Sequence, residues 1–113
     1  MSEPDSETGK YHPAEGPGRE PKANAVDIGE GHRLEFCQWQ GETAGVIDWH
    51  RNKAGAWCCG WVAFKQSKWG LQFKSGDVGW DVIQREPLTL NPSLLCKTCG
   101  DHGFIRDGKW VKA

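Results

Sequence analysis

The chain has 113 residues, 15 acidic and 14 basic, for a formal net charge of −1, and this length fits one small domain. No run of about 18 apolar residues occurs, so no membrane-crossing helix is expected, and the start lacks the charged, apolar and small-residue succession of a secretory signal. Five cysteines, an odd number, without an export signal point to a reducing, cytoplasmic setting and to metal-bound thiols before disulfides.

Residues 1–30 hold four of the six prolines (Pro4, Pro13, Pro17, Pro21), with seven acids against three bases. Their few apolar residues follow no helix or strand period, so this segment is expected to be a disordered, solvated tail. Residues 31–113 carry eleven bases and eight acids and form the expected domain. A core of about 80 residues is marginal on its own and commonly needs a metal, a disulfide or a partner as a staple.

From His32 the pattern turns β. Leu34 and Phe36 alternate with polar neighbours as far as Trp39, a period of two that turns one face inward. Gln40-Gly41-Glu42 reads as a turn, Thr43 to His50 as the second strand of a hairpin, Arg51 to Gly55 as a polar loop and Ala56 to Phe64 as a third strand. Residues 66–74 fit either a strand or an irregular loop. Gly79 to Gln84 alternates again, Pro87 breaks any helix, Leu88-Thr89-Leu90 is short and extended, and Asn91-Pro92 signals a turn. Asp107-Gly108, between Phe104-Ile105-Arg106 and Lys109-Trp110-Val111, is the strongest two-residue hairpin signal. The expected fold class is mostly β: a small single domain built as an antiparallel meander or a partly open barrel.

The chemistry concentrates near the end. Cys96-Lys97-Thr98-Cys99-Gly100-Asp101-His102-Gly103 reads C-x2-C-G-x-H-G. Two thiols three residues apart, followed by glycine, form the tight turn of a zinc knuckle, and structural zinc takes four sulfur or imidazole ligands. Cys58 and Cys59 are adjacent, so on a strand they point to opposite faces and only one reaches a shared centre. Cys37 lies mid-strand and reads as core. The expected ligand set is Cys58, Cys96, Cys99 and His102 around one zinc per chain, with His50 and Cys59 as exchanges. The knuckle would then clip the C-terminal hairpin to the third strand. Asp48 and Asp101 sit in no known catalytic zinc motif, and a sulfur-rich set closes around its metal. The expectation is therefore no catalytic residue and a structural metal.

Seven tryptophans are more than a small core easily buries, and an exposed ring serves as a stacking platform. Trp57, Trp61 and Trp69, with Lys65, Lys68 and Lys74, are the candidate binding residues. They suit a protein partner, or single-stranded nucleic acid through stacking and phosphate contact.

The stretch from Glu86-Pro87-Leu88-Thr89-Leu90-Asn91-Pro92-Ser93-Leu94-Leu95-Cys96 to His102-Gly103-Phe104-Ile105-Arg106-Asp107-Gly108-Lys109-Trp110, with Trp49-His50 and Cys58-Cys59-Gly60-Trp61 upstream, resembles a small uncharacterised family from actinobacteria and their phages. The similarity touches most of the domain but not the tail. It implies a phage-type accessory protein with a zinc site, and no established activity. A looser similarity reaches a broader family with a P-S-I…C-x-x-H-[YF] ending, parts of which sit beside bacterial ubiquitin-like conjugation genes; there Cys99 and His102 are the matching pair. Some relatives carry the label ammonia monooxygenase, a membrane-embedded copper enzyme. A chain with four histidines and no spanning segment does not fit that chemistry. Three functions stand as expectations: a non-enzymatic zinc-stabilised binding module acting on a protein partner, a single-stranded nucleic-acid binder, and a small zinc hydrolase or conjugation-associated factor.

Overall fold

A computed structural model describes residues 20–68, 79–96 and 99–113, and the backbone of 11–13. The chain runs through β1 (Tyr11–Pro13), β2 (Val26–Gly29), β3 (His32–Trp39), β4 (Glu42–Arg51), β5 (Trp57–Ala63), β6 (Asp81–Gln84), β7 (Thr89–Asn91), β8 (Leu94–Leu95), β9 (His102–Arg106) and β10 (Lys109–Lys112). The first five form one sheet in the order β1-β5-β4-β3-β2; β10-β9-β8 form a second and β6-β7 a third. Neighbours pair antiparallel, and among the described residues no sheet closes into a barrel. The expected meander is present as β3-β4-β5.

Two strands of the large sheet precede Gly31, within the segment expected to be a tail. β2 pairs with β3, Val26 opposite Leu34, and Ile28 is buried. With four residues and two apolar side chains, β2 is too short to show a period of two against its polar surroundings. Tyr11–Pro13 runs along β5, Tyr11 opposite Gly60. Residues 1–10 and 14–19 of the expected tail lie outside the described residues.

Alternation decides what the large sheet buries. Leu34, Val46, Cys58 and Val62 turn to one face and share a core with Leu88, Leu90, Leu94, Ile105 and Trp110 from the C-terminal third. Trp80 locks the two halves together. Its amide donates to the Ala63 carbonyl at 2.8 Å, its carbonyl accepts from Lys65 N–H at 2.8 Å, and its indole N–H donates to the Ser93 carbonyl at 3.3 Å. Ala44 and Ala63 form a second, smaller cluster with Trp39 and Trp61.

Gly103 on β9 shows how tightly the second sheet is packed. A Cβ there would lie 2.6 Å from Trp110 Cε2 and 2.7 Å from the Val111 carbonyl oxygen. Overpacking of this kind costs about 1–3 kcal/mol. Gly103→Ala is therefore expected to lower the melting temperature by roughly 5–15 °C in thermal unfolding; an unchanged midpoint would contradict this packing.

Candidate metal centre

The register of β4 and β5 creates the site. His50 sits directly opposite Cys58, so both side chains share the face that meets the C-terminal strands. The loop from β8 to β9 brings Cys96 and Cys99 to that face. Its turn is closed by Gly100 N–H to the Cys96 carbonyl at 2.7 Å and by Cys96 N–H to the Asp101 carbonyl at 2.8 Å. Gly100 holds φ at +81°, a left-handed conformation that glycine adopts without steric cost.

The donor atoms of His50, Cys58, Cys96 and Cys99 all lie within 4.8 Å of one another. Zinc–sulfur bonds of roughly 2.3 Å in a tetrahedron set sulfur–sulfur separations of roughly 3.8 Å. The four side chains thus need to close by about 1 Å at most to hold a metal ion. His50, Cys58 and Cys96 are buried, and Cys99 is half-buried. The centre joins the five-stranded sheet to the β8–β9 loop, as a clip would.

A second row of polar groups supports the first. His50 Nε2 lies 3.2 Å from Cys99 Sγ, and His50 Nδ1 lies 3.8 Å from Asp48 Oδ2. Asp48, fully buried, meets His32 Nδ1 with both oxygens at 2.9 and 3.0 Å. His32 Nε2 is 2.8 Å from Asp101 Oδ2, inside the knuckle. The His32 ring stacks on Trp110 with 3.6 Å between centroids and on His50 with 4.9 Å. A carboxylate behind a ligating imidazole fixes the ring's orientation and raises its basicity.

The same contacts set the ionisation of the donors. Burial opposes a charged His50, but the Asp48 carboxylate and the Cys99 sulfur outweigh it and raise its pKa. Burial also opposes a Cys99 thiolate; the Asp101 amide, Cys96 and His50 overcome that and lower its pKa. Cys58 is pushed up, by burial first and then by the charge of Cys99.

The expected set and the observed cluster share Cys58, Cys96 and Cys99. The histidine differs. His102 is exposed on β9, and its Nε2 pairs with Ser93 Oγ at 2.9 Å. Gly103 is the buried neighbour there, so alternation turns His102 outward. His50, named as an exchange, occupies the fourth place. Cys59 lies opposite Trp49, one residue out of phase with Cys58, and does not join. His32 is a functional candidate that the motif did not reveal, because it meets Asp48 only through β3–β4 pairing; Asp48, weighed in the sequence as a catalytic carboxylate, lies behind His50 instead.

Of the candidate binding residues, Trp57 and Trp61 share one face of β5. Trp57 is half-buried, with the Arg51 guanidinium 4.1 Å over its ring and Trp49 edge-on at 6.3 Å. Trp61 is half-buried beside Ala44 and Ala63. Lys65 Nζ lies 3.8 Å from Asp81 Oδ1, and Lys68 Nζ donates to the Gln40 carbonyl at 3.1 Å. Trp69 and Lys74 lie outside the described residues. Among the described residues the exposed large apolar side chains are Val26, Phe36, Ile83 and Val111, none of them tryptophan. Val26 and Phe36 line an apolar groove of about 480 Å³ with Leu34, Phe64, Pro87 and Leu88. Compared with protein-family models, curated proteins and solved structures, the chain has no match.

Proposed function

We propose that this protein is a non-enzymatic binding module held together by one zinc ion, bound by His50, Cys58, Cys96 and Cys99. The observation that carries the reading is the composition of the cluster: three thiols and an imidazole, drawn from the five-stranded sheet and the β8–β9 loop and largely buried. Soft sulfur donors in a tetrahedral set favour zinc, and four protein ligands leave no position for water. A hydrolase needs that open position; with His50 as the fourth ligand it is filled. The thiol-rich centre suits a reducing compartment such as the cytoplasm, and among the described residues no helix is long and apolar enough to cross a membrane.

Function then rests on a surface, and the groove at Val26 and Phe36 supports a protein partner, in keeping with a phage-type accessory role. A contiguous apolar patch on a small domain commonly marks an interaction site. Lys65 and Lys68, each engaged with a neighbour, give little support to a nucleic-acid groove. Metal analysis and cobalt substitution test the centre: about one zinc per chain and a tetrahedral, thiolate-rich cobalt spectrum are expected. For the surface, Phe36→Asp should leave metal content and melting nearly unchanged while weakening partner capture at least about tenfold. Steep, salt-dependent binding of single-stranded DNA or RNA would favour the nucleic-acid reading instead.

A further inference from the structure

We propose that Cys99 is a peroxide-sensitive modification site, and that its oxidation releases the metal. The inference rests on the zinc reading above. Within the centre the four donors are not equally protected. Cys58 and Cys96 are 0% and 1% exposed, whereas Cys99 is half-buried and lines an open cleft of about 300 Å³ with Arg51, Lys53, Asp101, Trp110 and Lys112. A small polar oxidant reaches that sulfur and neither of the other two. Arg51, Lys53 and Lys112 outnumber Glu30 and Asp101 in the lining, a balance that favours the departing hydroxide. Cys96, whose side chain hydrogen-bonds with Cys99, stands beside it as a resolving thiol.

The chemistry balances with hydrogen peroxide as the two-electron oxidant. The Cys99 thiolate attacks one peroxide oxygen; an S–O bond forms, the O–O bond breaks and hydroxide leaves. The Cys96 thiolate then attacks the Cys99 sulfur; an S–S bond forms and a second hydroxide leaves. One peroxide is reduced, two thiolates are oxidised, and the ion loses two of its four ligands. Cys58 and His50 alone do not retain it, so the clip between the five-stranded sheet and the β8–β9 loop opens. Reductant and zinc reverse the change, because a disulfide stands low on the oxidation ladder.

The test uses the full zinc-loaded chain. Hydrogen peroxide is titrated against a chromogenic zinc chelator, and thiols are mapped by alkylation and peptide mass spectrometry. About one equivalent of peroxide should release about one zinc, with a Cys96–Cys99 disulfide appearing at the same rate and with Cys58, Cys59 and Cys37 still reduced. Cys37 is the internal reference: it is half-buried and outside the centre. Modification of Cys99 should run at least about tenfold ahead of it, as thiolate character dictates. Zinc that stays bound under excess peroxide, or release preceded by oxidation of Cys37 or Cys59, overturns the proposal while leaving the structural metal intact. Protein that carries no zinc before any oxidant is added removes the metal reading, and this inference with it.

Discussion

Stripping the metal from the reduced protein with a strong chelator is expected to abolish the cooperative thermal transition and the near-ultraviolet circular dichroism of the tryptophans. The magnitudes decide this. Structural zinc binds with an apparent free energy of about 10–16 kcal/mol at neutral pH, and a small domain has a net stability of about 5–15 kcal/mol. His50 and Cys58 belong to the five-stranded sheet and Cys96 and Cys99 to the β8–β9 loop, so without the ion the knuckle loses its tie to that sheet. Cys58→Ser and Cys99→Ser should reproduce the effect. His102→Ala should not: an exposed side chain bonded to Ser93 Oγ is worth within about 0.5 kcal/mol. His102→Ala therefore separates the His50 ligand set from the His102 set, with Cys99→Ser, common to both, as the positive control. Reduced protein with a full near-ultraviolet signal and no bound metal would end the argument.

The second large effect belongs to Asp48. This carboxylate is fully buried and faces two imidazoles, His32 at 2.9 Å and His50 at 3.8 Å. Asp48→Ala takes from the buried His32 ring the carboxylate that its Nδ1 meets, and a buried polar group that loses its partner costs about 1–3 kcal/mol. Asp48→Asn keeps an acceptor oxygen and the volume but removes the charge. It is expected to fold and to bind zinc about 10–100-fold more weakly, as loss of an outer carboxylate does elsewhere. Competition against a chelator of known affinity measures this, with cobalt spectra reporting whether the ligand geometry is retained. An Asp48→Asn protein that holds zinc as tightly as the parent would reduce the carboxylate to packing.

Much of the large sheet was legible because its signals are local. Leu34 and Phe36 alternate, Gly41 and Gly108 mark turns, and the observed positive φ at Gln40, Gly41, Asp107 and Gly108 is what such two-residue loops require. The two knuckle cysteines were legible for the same reason: their spacing is a short-range geometric statement. The fourth member was not. His102 is near Cys99 in sequence, while His50 is near it only because β4 and β5 pair with His50 opposite Cys58. A loop read as Arg51 to Gly55 sets His50 opposite Ala56, whereas the strands end at Arg51 and begin at Trp57, which sets His50 opposite Cys58. The His32–Asp48–Asp101 row needs contacts across 16 and 69 residues, and no motif spacing encodes such distances. Tryptophan number alone says little about exposure: Trp49, Trp80 and Trp110 are buried, Trp57 and Trp61 are half-buried, and Trp69 lies outside the described residues.

The order of the large sheet has one more consequence. Both of its outermost strands, β1 beside β5 and β2 beside β3, come from the first 29 residues. That segment is the guard rail of the sheet. A strand border left open offers a row of unsatisfied amides and carbonyls to any other chain, the usual opening move of self-association. A protease cut between Pro13 and Val26 would free Tyr11–Pro13 to leave and uncover the backbone of Cys58, Cys59 and Gly60. The border then passes from β1, three residues long, to β5, seven residues long, and a longer open strand is the better template for another chain.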